Sequence, residues 1–245
     1  MPETLVIIPT YNERENVRSI VDRVLSADSR IHVLVVDDNS PDGTGDMADE
    51  MAAADERVSV LHRAGKLGLG TAYLEGFAIA AERGYTYVFE FDADGSHPPE
   101  KLTEMIDALD SGAGLVIGTR WMPGGRTENW PLQRQILSRG ASIYARVLLQ
   151  SKIRDITAGY RGYRVELLQG FDLTRIKSAG YCFQIEMAWL FERSGIRVSE
   201  VPITFVERQE GASKMSSDII VEAVWRVFAW GLGYRLGALS RLVSH

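Results

Sequence analysis

The first half of the chain alternates between short apolar runs and longer segments in which apolar residues follow a helical spacing. Leu5–Ile8 is the first apolar run, and Pro9 ends it. Runs of this kind are typical of strands buried on both faces of a parallel sheet. The next segment has apolar residues at every third or fourth position, which predicts a helix with one apolar face. These residues are Val17, Ile20, Val21, Val24 and Leu25.

The same unit recurs as far as residue 120. Strands are predicted at residues 33–36, 58–61, 85–91 and 115–117, and helices at residues 45–54, 70–83 and 99–110. This alternation is typical of a mainly parallel sheet, because a strand reaches a parallel neighbour only through a long crossover connection, which is usually a helix. We therefore predict an α/β fold, with a mainly parallel central sheet flanked by helices.

The second half of the chain is less regular. Residues 121–130 are rich in glycine and proline and predict a loop. A helix that carries Arg134 follows this loop. Further elements are a helix over residues 184–194 and a strand over residues 198–205. The polar stretch 208–216, which glycine interrupts, predicts a loop.

The end of the chain predicts an amphipathic helix. From Asp218 onward charges recur every fourth residue and leave a broad apolar face, so we divide the chain into a domain at 1–216 and a helical tail at 217–245. A membrane-spanning helix needs about twenty apolar residues, and Arg226 and Arg235 bracket a shorter run. The apolar face therefore packs against the domain's own core, or it meets a membrane surface or a membrane-embedded partner.

Composition and charge narrow the class of protein. The 45% hydrophobic content supports a sizeable core, and a formal charge of -6 excludes a nucleic-acid binder that relies on a general basic surface. A single cysteine, Cys182, excludes an internal disulfide and a cysteine-based zinc cluster, as is typical of a reducing compartment. The first residues show neither the basic segment nor the long apolar stretch of a secretory signal. We expect a cytoplasmic protein.

Two carboxylates follow the apolar strand predicted before residue 92. Asp92 and Asp94 are separated by Ala93, and alternate residues of an extended chain point to the same side. They lie at the carboxyl end of the strand, where open α/β sheets bind ligands. Two hard oxygen ligands suit Mg²⁺ or Mn²⁺ held together with substrate phosphates. The alternative is a pair of solvated turn residues ahead of a helix that begins at Pro98 and Pro99.

The turns exclude one common nucleotide-binding class. A dinucleotide-binding fold requires a glycine-rich turn after its first strand, whereas residues 9–13 read Pro-Thr-Tyr-Asn-Glu. Without glycines the pyrophosphate cannot approach the backbone at the helix start, so the sequence argues against an NAD-dependent enzyme. The stretch Gly65–Gly70 is similar to a phosphate loop but lacks the GxxxxGK[ST] order. It is either a flexible lead into the next helix or a wall of a nucleotide pocket.

Six motifs along the chain occur in the order of a known family. They are Pro9–Glu13, Val36–Thr44, Lys66–Ala72, Asp92–Asp94, Gly118–Arg120 and Arg208–Lys214. Together they resemble the inverting glycosyltransferases of the GT-A fold, and among these the dolichol- or polyprenol-phosphate mannose synthases. The resemblance covers nearly the whole chain, and the set is far more specific than any single motif.

The resemblance implies a nucleoside pocket at the ends of the first two strands. Pro9, Tyr11, Glu13, Val36 and Asp38 would line the base and ribose of GDP-mannose. The carboxylate of Asp38 would accept hydrogen bonds from guanine N1–H and N2–H₂ or from ribose hydroxyls. The alternative for Tyr11 and Glu13 is a capped helix start, and for Asp38 a helix-capping turn.

The resemblance also implies a metal and diphosphate site around the acidic pair. Asp92 and Asp94, with the backbone of Ala93, would hold Mg²⁺ or Mn²⁺ and the donor diphosphate, and Ser96 would be a further metal ligand. Arg120 follows the next strand and would meet phosphate oxygens with its fork of donors. The alternative for Arg120 is an ordinary surface arginine.

Basic residues of the second half complete the expected site. Arg208 and Lys214 lie on the segment that resembles the family's loop over the donor, and together with Asp94 they are the predicted catalytic residues. The alternative for this segment is a solvated charged turn. The alternatives for the acceptor site are Arg139 and Arg146, or a solvated helix face without a binding role. The residues predicted to bind the acceptor phosphate are Arg120, Arg134 and Ser138.

The activity that the resemblance implies is transfer of mannose from GDP-mannose to polyprenyl or dolichyl phosphate with inversion. A phosphate monoester is already anionic at neutral pH, so this reaction needs no general base. Such an enzyme would work as a peripheral protein at the cytoplasmic face of a membrane, alone or with a membrane-anchoring protein partner, and without nucleic acid. Two alternatives are transfer from a UDP-sugar to the same acceptor and a non-catalytic nucleotide-sugar-binding subunit of a membrane complex.

Overall fold

The computed structural model describes residues 3–176, 181–207 and 223–234. Most of its strands form one central sheet, and two short strands form a second. The strands of the described residues are β1 (Thr4–Thr10), β2 (Ile31–Asp37), β3 (Val58–His62), β4 (Tyr87–Glu90), β5 (Leu115–Thr119), β6 (Arg126–Glu128), β7 (Arg161–Arg164), β8 (Val198–Pro202) and β9 (Thr204–Val206). The central sheet has the order β3-β2-β1-β4-β7-β5-β8, and β6 pairs with β9.

Helices connect the strands and cover both faces of the central sheet. They are α1 (Arg14–Ala27), α2 (Thr44–Ala54), α3 (Leu69–Glu82), α4 (Leu102–Asp110), α5 (Leu132–Leu149), α6 (Val165–Gln169) and α7 (Tyr181–Arg193), with short 3-10 turns at Pro99–Lys101 and Leu173–Arg175. Residues 223–234 are also helical, and we call them the C-terminal helix. The predicted alternation of strands and helices is confirmed.

The central sheet is mainly parallel, as predicted. β1 pairs in parallel with β2 and β4, β2 with β3, and β5 with β8. The exception is β7, which runs antiparallel between β4 and β5. The sequence analysis missed β7 because it begins and ends with arginines, Arg161 and Arg164, instead of apolar residues.

Three local predictions were wrong. The strand predicted over residues 198–205 is two strands, because the chain leaves the central sheet after Pro202 and pairs again from Thr204 with β6. Part of the loop predicted at residues 121–130 is β6 itself. Residue Pro9 does not end the first strand, since β1 continues to Thr10. β1 pairs with β4 only as far as Ile7. Pro9 has no N–H to donate, but it lies beyond the end of β4, so the strand tolerates it.

Alternate residues of β1 supply the two hydrophobic cores. Leu5 and Ile7 face the cluster that α3, α5 and α7 cover, and Val6 and Ile8 face the cluster under α1, α2 and α4. Close packing is visible at Gly76 of α3, where a Cβ would lie 2.4 Å from a methyl carbon of Ile7. Burial of a large apolar side chain contributes about 1.5–3 kcal/mol, so the two cores hold the strand ends in fixed positions.

The C-terminal helix buries one face against the domain and exposes the other. Val227 is buried, the ring of Trp230 stacks on Trp189 at 6.2 Å, and the Tyr144 hydroxyl donates to the Val224 carbonyl at 3.0 Å. The opposite face leaves Trp225 66% exposed. Packing on the domain's own core therefore accounts for only part of the apolar surface. Among the described helices, none is long and apolar enough to cross a membrane.

Candidate active site

The strand order places the predicted site residues at one edge of the sheet. The chain runs from β1 to β2 and β3 on one side of β1 and then returns to β4 on the other side. Ligands of open α/β sheets bind at the carboxyl ends of strands where the order reverses in this way. Tyr11, Asp38, Asp92 and Arg120 follow β1, β2, β4 and β5 and therefore lie along this edge.

Two tight turns fix the edge beside β1 and β2. The Asp37 carboxylate accepts hydrogen bonds from the Thr10 hydroxyl at 2.9 Å and from the Ser40 N–H and hydroxyl at 2.9 and 2.6 Å. The N–H of Asn12 donates to the Ser40 hydroxyl at 3.0 Å. Asn12 and Asn39 adopt positive φ angles of 59° and 58°, a conformation that asparagine tolerates better than most residues. Asp37 therefore joins the two turns, while its neighbour Asp38 faces a different partner.

Asp38 forms a buried ion pair with a residue that the sequence analysis missed. The Arg63 guanidinium lies 2.8 Å from the Asp38 carboxylate, and its side chain is 2% exposed. It also contacts the Thr71 hydroxyl at 2.5 Å and the Glu75 carboxylate at 3.2 Å. Burial raises the pKa of Asp38, and the positive charge of Arg63 opposes that rise. Arg63 directly follows β3, and this position at the carboxyl end of a predicted strand is the signal that would have identified it.

The other predicted nucleoside residues lie in different surroundings. Tyr11 is half-buried, and the Lys66 ammonium lies 4.7 Å from its ring centroid. Pro9 is half-buried beside it, and the N–H of Glu13 donates to the Thr44 hydroxyl at 3.0 Å. Val36 is fully buried, so its side chain belongs to the core. These contacts leave the nucleoside roles as predictions.

The acidic turn after β4 brings its polar groups to the same edge. Asp92 and Asp94 are both half-buried, and the Asp94 carboxylate accepts the N–H of Ser96 at 3.0 Å. Gly95 has a φ of 73°, a backbone conformation that favours glycine. Ala93 is buried. The Ser96 hydroxyl is buried and has no hydrogen-bond partner within the described part of the chain.

This turn fits a hard divalent cation. Its oxygen groups, from Asp92, Asp94 and the Ser96 hydroxyl, are of the type that Mg²⁺ and Mn²⁺ prefer. A buried hydroxyl without a partner is costly unless a ligand satisfies it. Within residues 3–176, 181–207 and 223–234 no group of three or more histidine, cysteine, aspartate or glutamate side chains is placed to hold a metal. A cation here would therefore share its coordination with oxygens of a bound diphosphate.

Arg120 lies at the predicted edge, but its fork of donors already binds a carboxylate. Its Nε and Nη2 atoms lie 2.7 and 2.8 Å from the two oxygens of Asp155, which is fully buried. Asp155 also accepts the N–H of Arg120 at 3.0 Å and the hydroxyls of Ser142 and Thr157. Arg120 is therefore a buried, paired arginine and not an ordinary surface arginine. The sequence analysis did not identify its partner Asp155. Contact between Arg120 and a phosphate remains a prediction.

A second buried arginine fixes the segment that carries Asp155. The Arg161 guanidinium is fully buried and donates to the carbonyls of Ile156 and Ala158, both at 2.7 Å, and to the carbonyl of Gln184. It thereby holds this segment against α7. Nearby, burial raises the pKa of Glu90, two residues before the acidic pair, to about 7. Two buried ionisable groups of the sheet, Glu90 in β4 and Arg161 in β7, thus lie beside the segments that carry Asp92 and Asp155.

Arg134 holds an anion at the start of α5. Its guanidinium lies 2.6 Å from the Glu207 carboxylate and 4.2 Å from the centre of the Trp130 ring. Ser138 lies one turn further along the helix and is half-buried. The N–H of Val206, next to Glu207, donates to the Ser96 carbonyl at 3.4 Å. Strand β9 therefore links the Arg134 region to the acidic turn.

The two predicted catalytic cations, Arg208 and Lys214, lie outside the described residues. Of the remaining candidates on α5, Arg139 is exposed and Arg146 is half-buried. The roles of all four residues stay predictions.

Comparisons with known proteins agree with the motifs. Residues 5–171 match the family model described as Glycosyl transferase family 2. The chain is 56% identical to polyprenol monophosphomannose synthase of Mycolicibacterium smegmatis, over 95% of this chain and 88% of the relative. It is 52% identical to undecaprenyl-phosphate mannosyltransferase of Micrococcus luteus, over 94% and 95%. With dolichol-phosphate mannosyltransferase of Pyrococcus furiosus the identity is 38%, over 98% of this chain and 66% of the relative.

The fold is similar to that of solved glycosyltransferases. Glucosyl-3-phosphoglycerate synthase from Mycobacterium tuberculosis, in complex with Mn²⁺, UDP and glucosyl-3-phosphoglycerate, superposes with a TM-score of 0.65. The match covers 96% of this chain and 80% of that chain at 20% identity, which shows the fold alone. The predicted α/β fold of the GT-A type and the resemblance to polyprenol-phosphate mannose synthases are both confirmed. The chain is therefore a glycosyltransferase, and it belongs to glycosyl transferase family 2.

Proposed function

We propose that this glycosyltransferase transfers mannose from GDP-mannose to a polyprenyl phosphate with inversion, releasing GDP. The observation that carries the proposal is the edge of the sheet at which the Asp38–Arg63 pair follows β2 and β3 and the acidic turn of Asp92 and Asp94 follows β4, with β1 between them. The names of the relatives at 56% and 52% identity, a polyprenol monophosphomannose synthase and an undecaprenyl-phosphate mannosyltransferase, support the sugar and the acceptor class.

The Asp38–Arg63 pair supports guanine as the base. A carboxylate beside a guanidinium presents acceptors next to donors. Guanine offers the complementary edge, with donors at N1 and N2 next to the acceptor O6, and its two donors suit the two oxygens of Asp38. Uracil also has a donor between acceptors, which keeps a UDP-sugar as the second candidate. Adenine lacks an acceptor at position 6, so it fits this pair poorly.

The chemistry is a single displacement. An oxygen of the acceptor phosphate attacks C1 of mannose, the bond from C1 to the diphosphate breaks, and its electron pair leaves with GDP. The acceptor carries roughly -1.5 to -2 charge at neutral pH, so no side chain has to remove a proton. A divalent cation, when bound, neutralises charge that develops on the leaving diphosphate. Asp92 and Asp94 would hold that cation, and Arg208 and Lys214 would add further positive charge.

Arg134 is the best-supported anchor for the acceptor phosphate. Its guanidinium binds an anion in the structure, the Glu207 carboxylate, at 2.6 Å. An acceptor phosphate would take the place of that carboxylate at the guanidinium. Glu207 would then compete with the acceptor, since both need the same donors.

This competition predicts opposite effects of two substitutions. For Glu207→Gln we expect the KM for a short-chain polyprenyl phosphate to fall by about twofold to fivefold, because partly exposed ion pairs contribute up to about 1 kcal/mol. For Arg134→Ala we expect a rise of about tenfold or more. Steady-state kinetics at saturating donor measures both. Glu128→Gln, which breaks the exposed pair with Arg126, is the matched control. A rise in KM for Glu207→Gln would contradict the competition.

The proposed location of the enzyme is the cytoplasmic face of a membrane. Helix α5 and the C-terminal helix contain four arginines and no aspartate or glutamate, in a chain that has 33 acidic residues. Large apolar side chains are exposed on both helices, which touch through Tyr144 and Val224. They are Leu132, Ile136, Leu137, Ile143 and Val147 on α5, and Val224, Trp225, Phe228 and Leu232 on the C-terminal helix. A basic, apolar surface suits anionic lipid and the lipid acceptor.

Loss of this surface should weaken lipid binding and leave the chemistry intact. For Trp225→Ser/Phe228→Ser we expect sedimentation with anionic vesicles to fall by about tenfold or more, because burial of each aromatic ring contributes over 1 kcal/mol. Transfer to a water-soluble short-chain acceptor should stay within about twofold. Arg139→Glu should also weaken binding. Arg18→Glu, the same charge change on α1 at the other face of the sheet, should not. Equal loss in both charge variants would refute a localised surface.

The donor and acceptor are tested directly by transfer of label. Radiolabelled GDP-mannose, UDP-glucose and UDP-N-acetylglucosamine are each incubated with polyprenyl phosphate, with and without EDTA, and the organic phase is counted. We expect label only from GDP-mannose, and none with EDTA. Transfer from a UDP-sugar alone would favour the second candidate, and no transfer from any donor would favour a non-catalytic subunit.

A further inference from the structure

His97 follows the acidic turn, and its ring contacts Asp92 at two points. The side chain is buried, with 2% of its surface exposed. The Nδ1 atom accepts the backbone N–H of Asp92 at 3.2 Å, and the Nε2 atom lies 3.6 Å from Oδ2 of the Asp92 carboxylate. Because Nδ1 is an acceptor, the proton of the neutral ring is on Nε2. The ring therefore directs an N–H group towards the carboxylate.

Aromatic neighbours fix the plane of the ring. The Tyr160 ring stacks on His97 with centroids 4.9 Å apart and an interplanar angle of 12°. Phe91 and Phe205 contact it edge to face at 5.4 and 5.6 Å. Stacked and edge-to-face arrangements are the ones that aromatic rings prefer when they pack. The imidazole therefore keeps one orientation relative to Asp92.

Two side-chain donors lie near the Asp92 carboxylate. The Tyr73 hydroxyl lies 3.4 Å from Oδ1, and the His97 ring lies near Oδ2. The Nδ1 atom accepts an N–H and therefore carries no proton, so the ring is a neutral donor. A lysine or arginine in this place would cancel the negative charge that attracts a cation. A neutral donor orients the carboxylate and leaves that charge intact.

We propose that His97 is a positioning residue that orients the Asp92 carboxylate towards a divalent cation through its Nε2–H group. The inference rests on the proposed metal-dependent function. Groups that orient metal-binding carboxylates typically change metal affinity by 10–100-fold when they are removed. His97 would therefore act on metal affinity first and on turnover only through the bound metal.

Three substitutions separate the donor from the ring. His97→Gln keeps an N–H donor within reach of the carboxylate. His97→Asn keeps a short acceptor for the Asp92 N–H but does not reach the carboxylate, and His97→Phe keeps only the ring. Mn²⁺ affinity in the presence of GDP is measured by electron paramagnetic resonance, with the melting temperature recorded for each variant. We expect affinity to fall by about 10–100-fold in the Asn and Phe variants and by less than about threefold in the Gln variant.

Tyr160→Phe is the matched control. It removes the hydrogen bond from the Tyr160 hydroxyl to the Pro98 carbonyl at 3.2 Å and keeps the stacked ring, so we expect unchanged Mn²⁺ affinity. Wild-type affinity in a folded Asn or Phe variant would overturn the role of His97 and leave the proposed function standing. The same follows if the Gln variant loses as much affinity as the Asn variant. A wild-type protein that binds no Mn²⁺ with GDP would overturn the metal-dependent function as well.

Discussion

Replacement of Asp94 by alanine is expected to abolish metal-dependent transfer, with kcat lower by about a thousandfold. A cation that neutralises the leaving diphosphate contributes several kcal/mol, and each 1.36 kcal/mol is about tenfold in rate. Asp94 is half-buried in the turn, and its carboxylate accepts the N–H of Ser96 at 3.0 Å. The fold should therefore persist. Radiolabel transfer across a Mn²⁺ titration measures the loss.

Two further variants make this result specific. Asp94→Asn keeps the size of the side chain and an acceptor for the Ser96 N–H, but it removes the negative charge, so we expect nearly the same loss. Asp22→Ala removes an exposed carboxylate on α1 and should transfer at the wild-type rate. An Asp94→Ala variant with an unchanged transfer rate would refute the assignment of the acidic turn as a metal site.

Asp155→Ala is expected to give the largest loss of stability. It leaves the buried guanidinium of Arg120, which is 8% exposed, without its carboxylate. Loss of one partner of a buried ion pair costs about 3–5 kcal/mol. In a chain of this size that lowers the melting temperature by roughly 10 °C. Thermal and urea unfolding followed by circular dichroism measure the change in the free energy of unfolding.

A double variant distinguishes structure from chemistry at this pair. Arg120→Met/Asp155→Leu replaces both charges by apolar side chains and should recover most of the stability, since such replacements are often neutral. Recovered stability without transfer would give the Arg120–Asp155 pair a role in the reaction beyond stability. Glu128→Ala, which breaks an exposed ion pair, should change the free energy of unfolding by less than about 1 kcal/mol. Wild-type melting of Asp155→Ala would contradict a structural role for the pair.

The α/β class was predictable because it rests on local periodicity. Apolar runs such as Leu5–Ile8 and the helical spacing of α1 are properties of neighbouring residues, and the structure has both elements. Strand β7 was not predictable, because it begins and ends with arginines and one carbonyl that satisfies Arg161, that of Gln184, lies 23 residues away along the chain. The prediction of one strand over residues 198–205 was wrong because its pairing also depends on residues far along the chain. Its second part pairs with β6 instead of the central sheet.

The C-terminal helix shows what a pattern of apolar residues predicts and what it leaves open. The pattern predicted an amphipathic helix and left open what covers its apolar face. In the structure Val227 and Trp230 face the domain, while Trp225 and Phe228 stay exposed. A sequence period indicates that a face is apolar, but it does not tell which part of that face meets the protein's own core. The exposed part is the basis for the proposed lipid surface.

The sequence by itself determined the α/β fold, the acidic pair and the family. These features depend on spacing within short segments, such as the single residue between Asp92 and Asp94. Only the tertiary structure decided the partners of the charged groups. Asp155 lies 35 residues from Arg120 along the chain, and Arg63 lies 25 residues from Asp38. Buried charges select partners by distance in space, and the packing of the two cores against the sheet sets those distances.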